Sequence, residues 1–87
     1  MIAYQEGYIN KIKSKLFACL KEREGNGQWE SYLDSILIEL MGIPEENRGI
    51  HYYTIYYKLS SCRYLSFKYF RTNIFDVMAL LSKEVIK

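Results

Sequence analysis

The residues with chemistry to offer are few. His51 is the only histidine in 87 residues, and the thiols are Cys19 and Cys62. A lone imidazole without a nucleophile or carboxylate at motif spacing does not make a general base. His51 follows Gly49-Ile50 at the start of an element, where an exposed structural role is expected. Cys19 and Cys62 are too far apart for a C-x-x-C metal or redox pair and read as thiols on apolar faces in a reducing compartment. A disulfide between them stays open, because both fall on apolar faces and their separation is not a sequence property. Glu45-Glu46, after Pro44, reads as a solvated turn beside a helix start. No phosphate-binding glycine loop, dinucleotide fingerprint or nucleophile elbow occurs. Too few His and Cys are present for a zinc cage. The expectation is a protein that is not an enzyme, with no cofactor, no metal and no small-molecule substrate.

Charge and aromatic patterning carry more. Lys11, Lys13, Lys15, Lys21 and Arg23 crowd the first segment. Glu24, Glu30, Asp34, Glu39, Glu45 and Glu46 follow with no base among them. From Arg48 to Arg71 the sign reverses: Arg48, Lys58, Arg63, Lys68 and Arg71 stand there without an acid, among Tyr52, Tyr53, Tyr56, Tyr57, Tyr64 and Tyr69. Opposite-sign helices attract within a bundle, which is one cause of such blocks. The aromatic, basic stretch also fits a protein interface, an anionic membrane surface or a nucleic-acid strand. Tyrosines that simply pack the core with their hydroxyls at its edge fit it too.

The elements that position these residues follow from periodicity. Apolar residues are 49% of the chain and charged residues 25%, a globular balance for a single domain over 1–87. No apolar run is long enough for a membrane span. The polar N-terminus lacks the apolar core of a signal peptide, so a cytoplasmic location is expected. Tyr8, Ile9, Ile12, Leu16, Cys19 and Leu20 recur at three- and four-residue steps, predicting an amphipathic helix from Gln5 to Glu24. Gly25-Asn26-Gly27 ends it through a left-handed glycine. Trp29, Tyr32, Leu33, Ile36, Leu37, Leu40 and Met41 predict a second helix over 28–41, capped by Asn26 or Gly27 and stopped by Gly42 and Pro44. Phe67, Phe70, Ile74, Val77, Met78, Leu81 and Val85 predict a last helix from Ser66, with Ser66 or Thr72 as N-cap and Lys83 and Lys87 at its C-terminal end.

The stretch between is ambiguous. Tyr52, Ile55, Tyr56, Leu59 and Cys62 make a helical stripe; Tyr53, Ile55, Tyr57 and Leu59 make an equally regular strand face, favoured by its β-branched and aromatic residues. The turn a hairpin would need, Ser60-Ser61-Cys62-Arg63, lacks glycine or Asn-Gly. Two architectures follow: an all-α antiparallel four-helix bundle, or an α+β fold of two helices, a β-hairpin at about 50–71 and a C-terminal helix.

Three stretches resemble the immunity proteins of pediocin-like (class IIa) bacteriocins. ESYLDSILIEL (30–40) is similar to that family's second helix, YYKLSSCRYLSF (56–67) to the end of its third helix and the turn after it, and FKYFRTNIFDVMALLSKEV (67–85) to its fourth. The match spans about fifty residues and rests mostly on hydrophobic register. The resemblance implies a four-helix bundle, with 49–62 helical, and a non-enzymatic protein in the cytoplasm, peripheral to the inner membrane face. It implies protection of a bacterium from a membrane-permeabilising bacteriocin, exerted at the sugar-permease receptor once the bacteriocin has engaged it, with specificity in the C-terminal half. That half holds Tyr57, Lys58, Arg63, Tyr64, Lys68 and Arg71, the candidate partner-binding residues. Two other classes of function fit the same charges: a small nucleic-acid-binding module using the basic stretch, and a phage-type inhibitor of a bacterial defence complex using the acidic one.

Overall fold

In a computed structural model, residues 6–83 are described, and all regular elements among them are helical. Helix α1 spans Glu6–Glu24, α2 Trp29–Met41, α3 Tyr52–Ser61 and α4 Phe67–Lys83. Short 3-10 turns occupy Glu45–Asn47 and Cys62–Tyr64. Gln5, Val85, Lys87 and the Tyr8 side chain, used above, lie outside the described residues.

The antiparallel order is visible in pairs of contacts. Lys11 early in α1 meets Glu39 late in α2, while Cys19 late in α1 donates to the Trp29 carbonyl at the start of α2. Tyr52 at the start of α3 donates its hydroxyl to the Leu40 carbonyl at 2.7 Å, and Arg63 beyond its end meets Glu30 and Asp34. Lys13 bonds Ser82 late in α4, and the Arg23 guanidinium lies over Phe70 early in α4. Each helix thus packs on its two sequence neighbours, with α4 closing back on α1. The core is one cluster running through all four: Ile9, Ile12, Leu16 and Cys19 from α1, Leu33, Ile36 and Leu40 from α2, Ile55 and Leu59 from α3, Phe70, Ile74, Val77 and Leu81 from α4.

Residues 52–61 are helix, and no hairpin forms over 50–71. Burying an apolar side chain is worth about 1.5–3 kcal/mol, against the roughly 1 kcal/mol range of strand propensity. Tyr52, Ile55, Leu59 and Cys62, at steps of three and four, all reach the core. Tyr53 and Tyr57, which a strand would have buried beside Ile55 and Leu59, are exposed. Burial therefore outweighs local preference.

Several caps differ from expectation. The left-handed residue after α1 is Asn26, with φ 59°, and neither flanking glycine has positive φ. The Gly27 amide donates to the Glu22 carbonyl and the Asn26 amide to the Arg23 carbonyl, a Schellman closure. Asparagine tolerates this conformation better than most L-residues. A Cβ at Gly27 would lie 3.3 Å from the Glu22 carbonyl oxygen and would displace the flexible end of the Glu22 side chain. Neither Asn26 nor Gly27 caps α2; Gln28 holds that position without a side-chain bond. Gly42 is the C-cap of α2, as expected, but in a right-handed conformation, and the extended Pro44 prevents continuation. Thr72 lies within α4, its hydroxyl donating to the Lys68 carbonyl. Tyr32 and Met41, placed on the apolar face of α2, are exposed, as is Phe67 at the start of α4.

Candidate interaction surface

The acid-free stretch takes its acids from elsewhere in the fold. Arg63 pairs with Asp34 and, at 3.4 Å, with Glu30, tying the 3-10 turn after α3 to the start of α2. Lys58 pairs with Asp76 of α4 at 3.6 Å. On the other side of α2, Glu39 takes both Lys15 and, at 3.6 Å, Lys11. Burial alone would push the Glu39 carboxyl up; the Lys15 hydrogen bond and charge, backed by Lys11, overcome this and hold it below its ordinary value. Glu30, Asp34 and Glu39, the acids of α2, are thus engaged within the chain, which weakens the case for an acidic working face. Lys58 and Arg63 are likewise partnered within the chain, through solvated pairs.

The remaining candidate residues are available but not contiguous. Tyr64 stands 84% exposed on the turn between α3 and α4. Lys68, exposed on the first turn of α4, has its ammonium 5.9 Å from the Tyr69 ring. The Arg71 guanidinium lies 4.9 Å over the Phe75 ring. Neither Lys68 nor Arg71 forms an ion pair among the described residues. Tyr57, 67% exposed, belongs to another edge. With Met41, Arg48, Tyr52, Tyr53 and Tyr56 it lines a groove of about 180 Å³ between the end of α2 and α3. Arg48 organises that groove: its Nε donates to the Ile43 carbonyl at 3.1 Å, its NH1 to the Tyr53 hydroxyl at 3.3 Å, and its guanidinium lies 4.4 Å over Tyr52. His51 is half-buried at the N-cap of α3, with its carbonyl accepting from the Ile55 amide at 2.9 Å.

One important residue, Arg23, was hidden among the lysines of the first segment. Its guanidinium lies over both the Trp29 and Phe70 rings, 4.6 and 4.4 Å from their centroids, while the two rings meet edge to face at 5.3 Å. It donates to the Cys62 carbonyl at 3.4 Å and to the Leu65 carbonyl. One side chain on α1 therefore fixes the α3–α4 turn that carries Tyr64. Only contacts distant in sequence reveal it. The thiols are structural as well. Cys19 and Cys62 are free and fully buried, donating to the Trp29 and Lys58 carbonyls. Burial, with nearby Cys62 adding to it, pushes the Cys19 thiol up to about 12, and burial raises Cys62 too.

Among the described residues no group of three or more His, Cys, Asp or Glu is placed to hold a metal, and no helix is long and apolar enough to cross a membrane. No protein family, characterised protein or solved structure gives a significant match to the chain.

Proposed function

We propose that this chain is a non-enzymatic binding protein of bacteriocin self-protection, acting in the cytoplasm at the inner membrane face. It would dock on a sugar-permease receptor that a class IIa bacteriocin has engaged. The observation that carries the reading is the end of the bundle where Arg23 ties down the α3–α4 turn. The turn with Tyr64 and the first turns of α4, with Lys68 and Arg71, present exposed aromatic rings beside cations that no carboxylate within the described chain neutralises. Tyrosine and arginine are the residues that dominate binding hot spots. Arg23 fixes this end in advance, so little ordering cost falls on association. The all-helical fold also agrees with the architecture that the sequence resemblance implies.

The mechanism needs no chemistry. A ligand shifts a conformational equilibrium by its differential affinity for the two states. Moving a receptor from almost fully open to almost fully closed requires about a 10⁴-fold preference, attainable by a docking surface that meets only one of the two arrangements. Expression in a sensitive strain, followed by survival against a panel of class IIa bacteriocins, tests the reading. Protection against at least one member is expected. Killing by every member at the rate of the empty-vector control contradicts it.

A further inference from the structure

Four cations without a carboxylate partner lie together on an edge that the linear charge pattern does not single out. Among the described residues, Lys11, Lys15, Lys58 and Arg63 form ion pairs, whereas Lys13, Lys21, Lys68 and Arg71 form none. Arg23, Arg48 and Lys83 form none either, but rings and backbone carbonyls hold Arg23 and Arg48 instead. Lys13, Phe17 and Lys21 recur at four-residue steps along α1 and so share one side of it. That side borders α4, because Lys13 bonds Ser82. On α4, Lys68, Arg71, Phe75 and Ser82 recur at steps of three, four and seven and share the side that borders α1. The two rows run side by side in the antiparallel pair. Between the cations stand two incompletely buried phenylalanines, Phe17 at 45% and Phe75 at 39% exposure. Glu24 closes the α1 row beside Lys21 and is the acid at that end.

We infer that the α1–α4 edge is a surface for an anionic lipid bilayer, with Lys13, Lys21, Lys68 and Arg71 facing the headgroups and Phe17 and Phe75 entering the interface. Charge complementarity identifies the occupant as anionic. The phenylalanines identify it as lipid: apolar rings lying between cations gain by leaving water at the headgroup boundary, and Arg71 already covers one face of Phe75 that a stacked base would need. The α2–α3 groove lies on the opposite side of the bundle and the Tyr64 turn at its end, so a bundle lying on this edge keeps both clear of the lipid. Lys68 and Arg71 belong both to this edge and to the receptor surface proposed above; lipid binding requires no receptor, so protein-free vesicles test it separately from the immunity reading.

Co-sedimentation of the full chain with phosphatidylcholine vesicles, with and without phosphatidylglycerol, tests it. Binding is expected only with phosphatidylglycerol. It should weaken steeply between about 0.1 M and 1 M salt, as the screening length falls from about 10 Å to about 3 Å. Each cation near an anionic surface contributes a factor of about five. Lys21→Gln should therefore weaken binding about fivefold, and the triple change Lys21→Gln, Lys68→Gln, Arg71→Gln about 100-fold. Lys11→Gln, on the α2 side of α1, should change it less than about twofold. An unchanged circular dichroism spectrum verifies the fold of each variant. No preference for phosphatidylglycerol overturns the inference, as does an equal loss from Lys11→Gln. A salt-sensitive polarisation signal with an oligonucleotide and none with vesicles would assign the edge to nucleic acid instead.

Discussion

Removing the Arg23 guanidinium should loosen the whole end of the bundle, and by more than breaking any surface ion pair. The side chain makes two kinds of contact. Its hydrogen bonds to the Cys62 and Leu65 carbonyls come from a charged donor, a class worth about 1.5–3 kcal/mol each; the 3.4 Å bond to Cys62 belongs at the low end. Its positions 4.6 Å from Trp29 and 4.4 Å from Phe70 add about 0.5–2 kcal/mol each. These terms overlap, and water replaces some of the lost bonds, so Arg23→Ala should cost about 3–5 kcal/mol. A domain of this size loses about 4–8 °C of midpoint per kcal/mol, so the melting temperature should fall by at least about 12 °C. Arg23→Lys keeps the charge but not the planar fork, and should recover less than half of the loss. Arg63→Ala is the comparator. Its ion pairs to Asp34 and Glu30 are largely solvated, and such pairs contribute about 0–1 kcal/mol. Urea denaturation followed by circular dichroism measures all three. If Arg23→Ala lies within about 1 kcal/mol of the parent chain, or matches Arg63→Ala, the guanidinium does not hold the turn and the argument from pre-ordering fails.

Further outcomes follow from the same structure. Cys19 keeps its proton up to about pH 12 when folded but loses it near pH 9 when unfolded, and Cys62 shifts the same way. The thiols should therefore leave stability unchanged from neutral pH to about pH 9 and lower it above that, by up to about 1.4 kcal/mol per pH unit for each thiol; Cys19→Ala should shallow that slope in an alkaline urea series. Glu39, held low by Lys15 and Lys11, acts in the opposite sense: its contribution is present above the ordinary carboxyl value near 4.5 and is lost as pH falls through its lowered folded value. Glu39→Gln should remove part of the acid-side loss in the same assay. Asn26→Gly should be neutral or stabilising in a thermal melt, because glycine enters the left-handed region without steric cost.

The extent to which the sequence disclosed this structure depends on the range of the interactions concerned. The stripes of α1 and α4 were legible because a single face buries Ile12, Leu16 and Cys19, or Phe70, Ile74 and Val77, at unbroken helical spacing. Residues 52–61 were not decided by their own pattern, because Ile55 and Leu59 belong to both the helical and the strand face. Packing of this segment against α2 and α4, from distant parts of the chain, decided for helix. The left-handed turn was legible as a turn but not to the residue, since Gly25, Asn26 and Gly27 each admit it. The candidate site was least legible. A run of bases without acids says nothing about acids supplied by another helix, and here α2 and α4 supply them to Arg63 and Lys58. Phe17 and Lys21, which join Arg71 and Phe75 at one edge, sit some fifty residues away from them in sequence. Their grouping exists only after α4 has folded back on α1.

The central proposal is that the protein recognises a receptor only in its bacteriocin-engaged state, through Tyr64, Lys68 and Arg71. Its most direct test is the affinity of the purified chain for membranes containing the receptor subunits, measured with and without a class IIa bacteriocin and compared with receptor-free membranes of the same lipids. The account predicts much tighter binding when receptor and bacteriocin are both present, and loss of that increment in Tyr64→Ala, Lys68→Ala with the helical spectrum intact. Equal binding with and without bacteriocin, across a panel of such peptides, would contradict it.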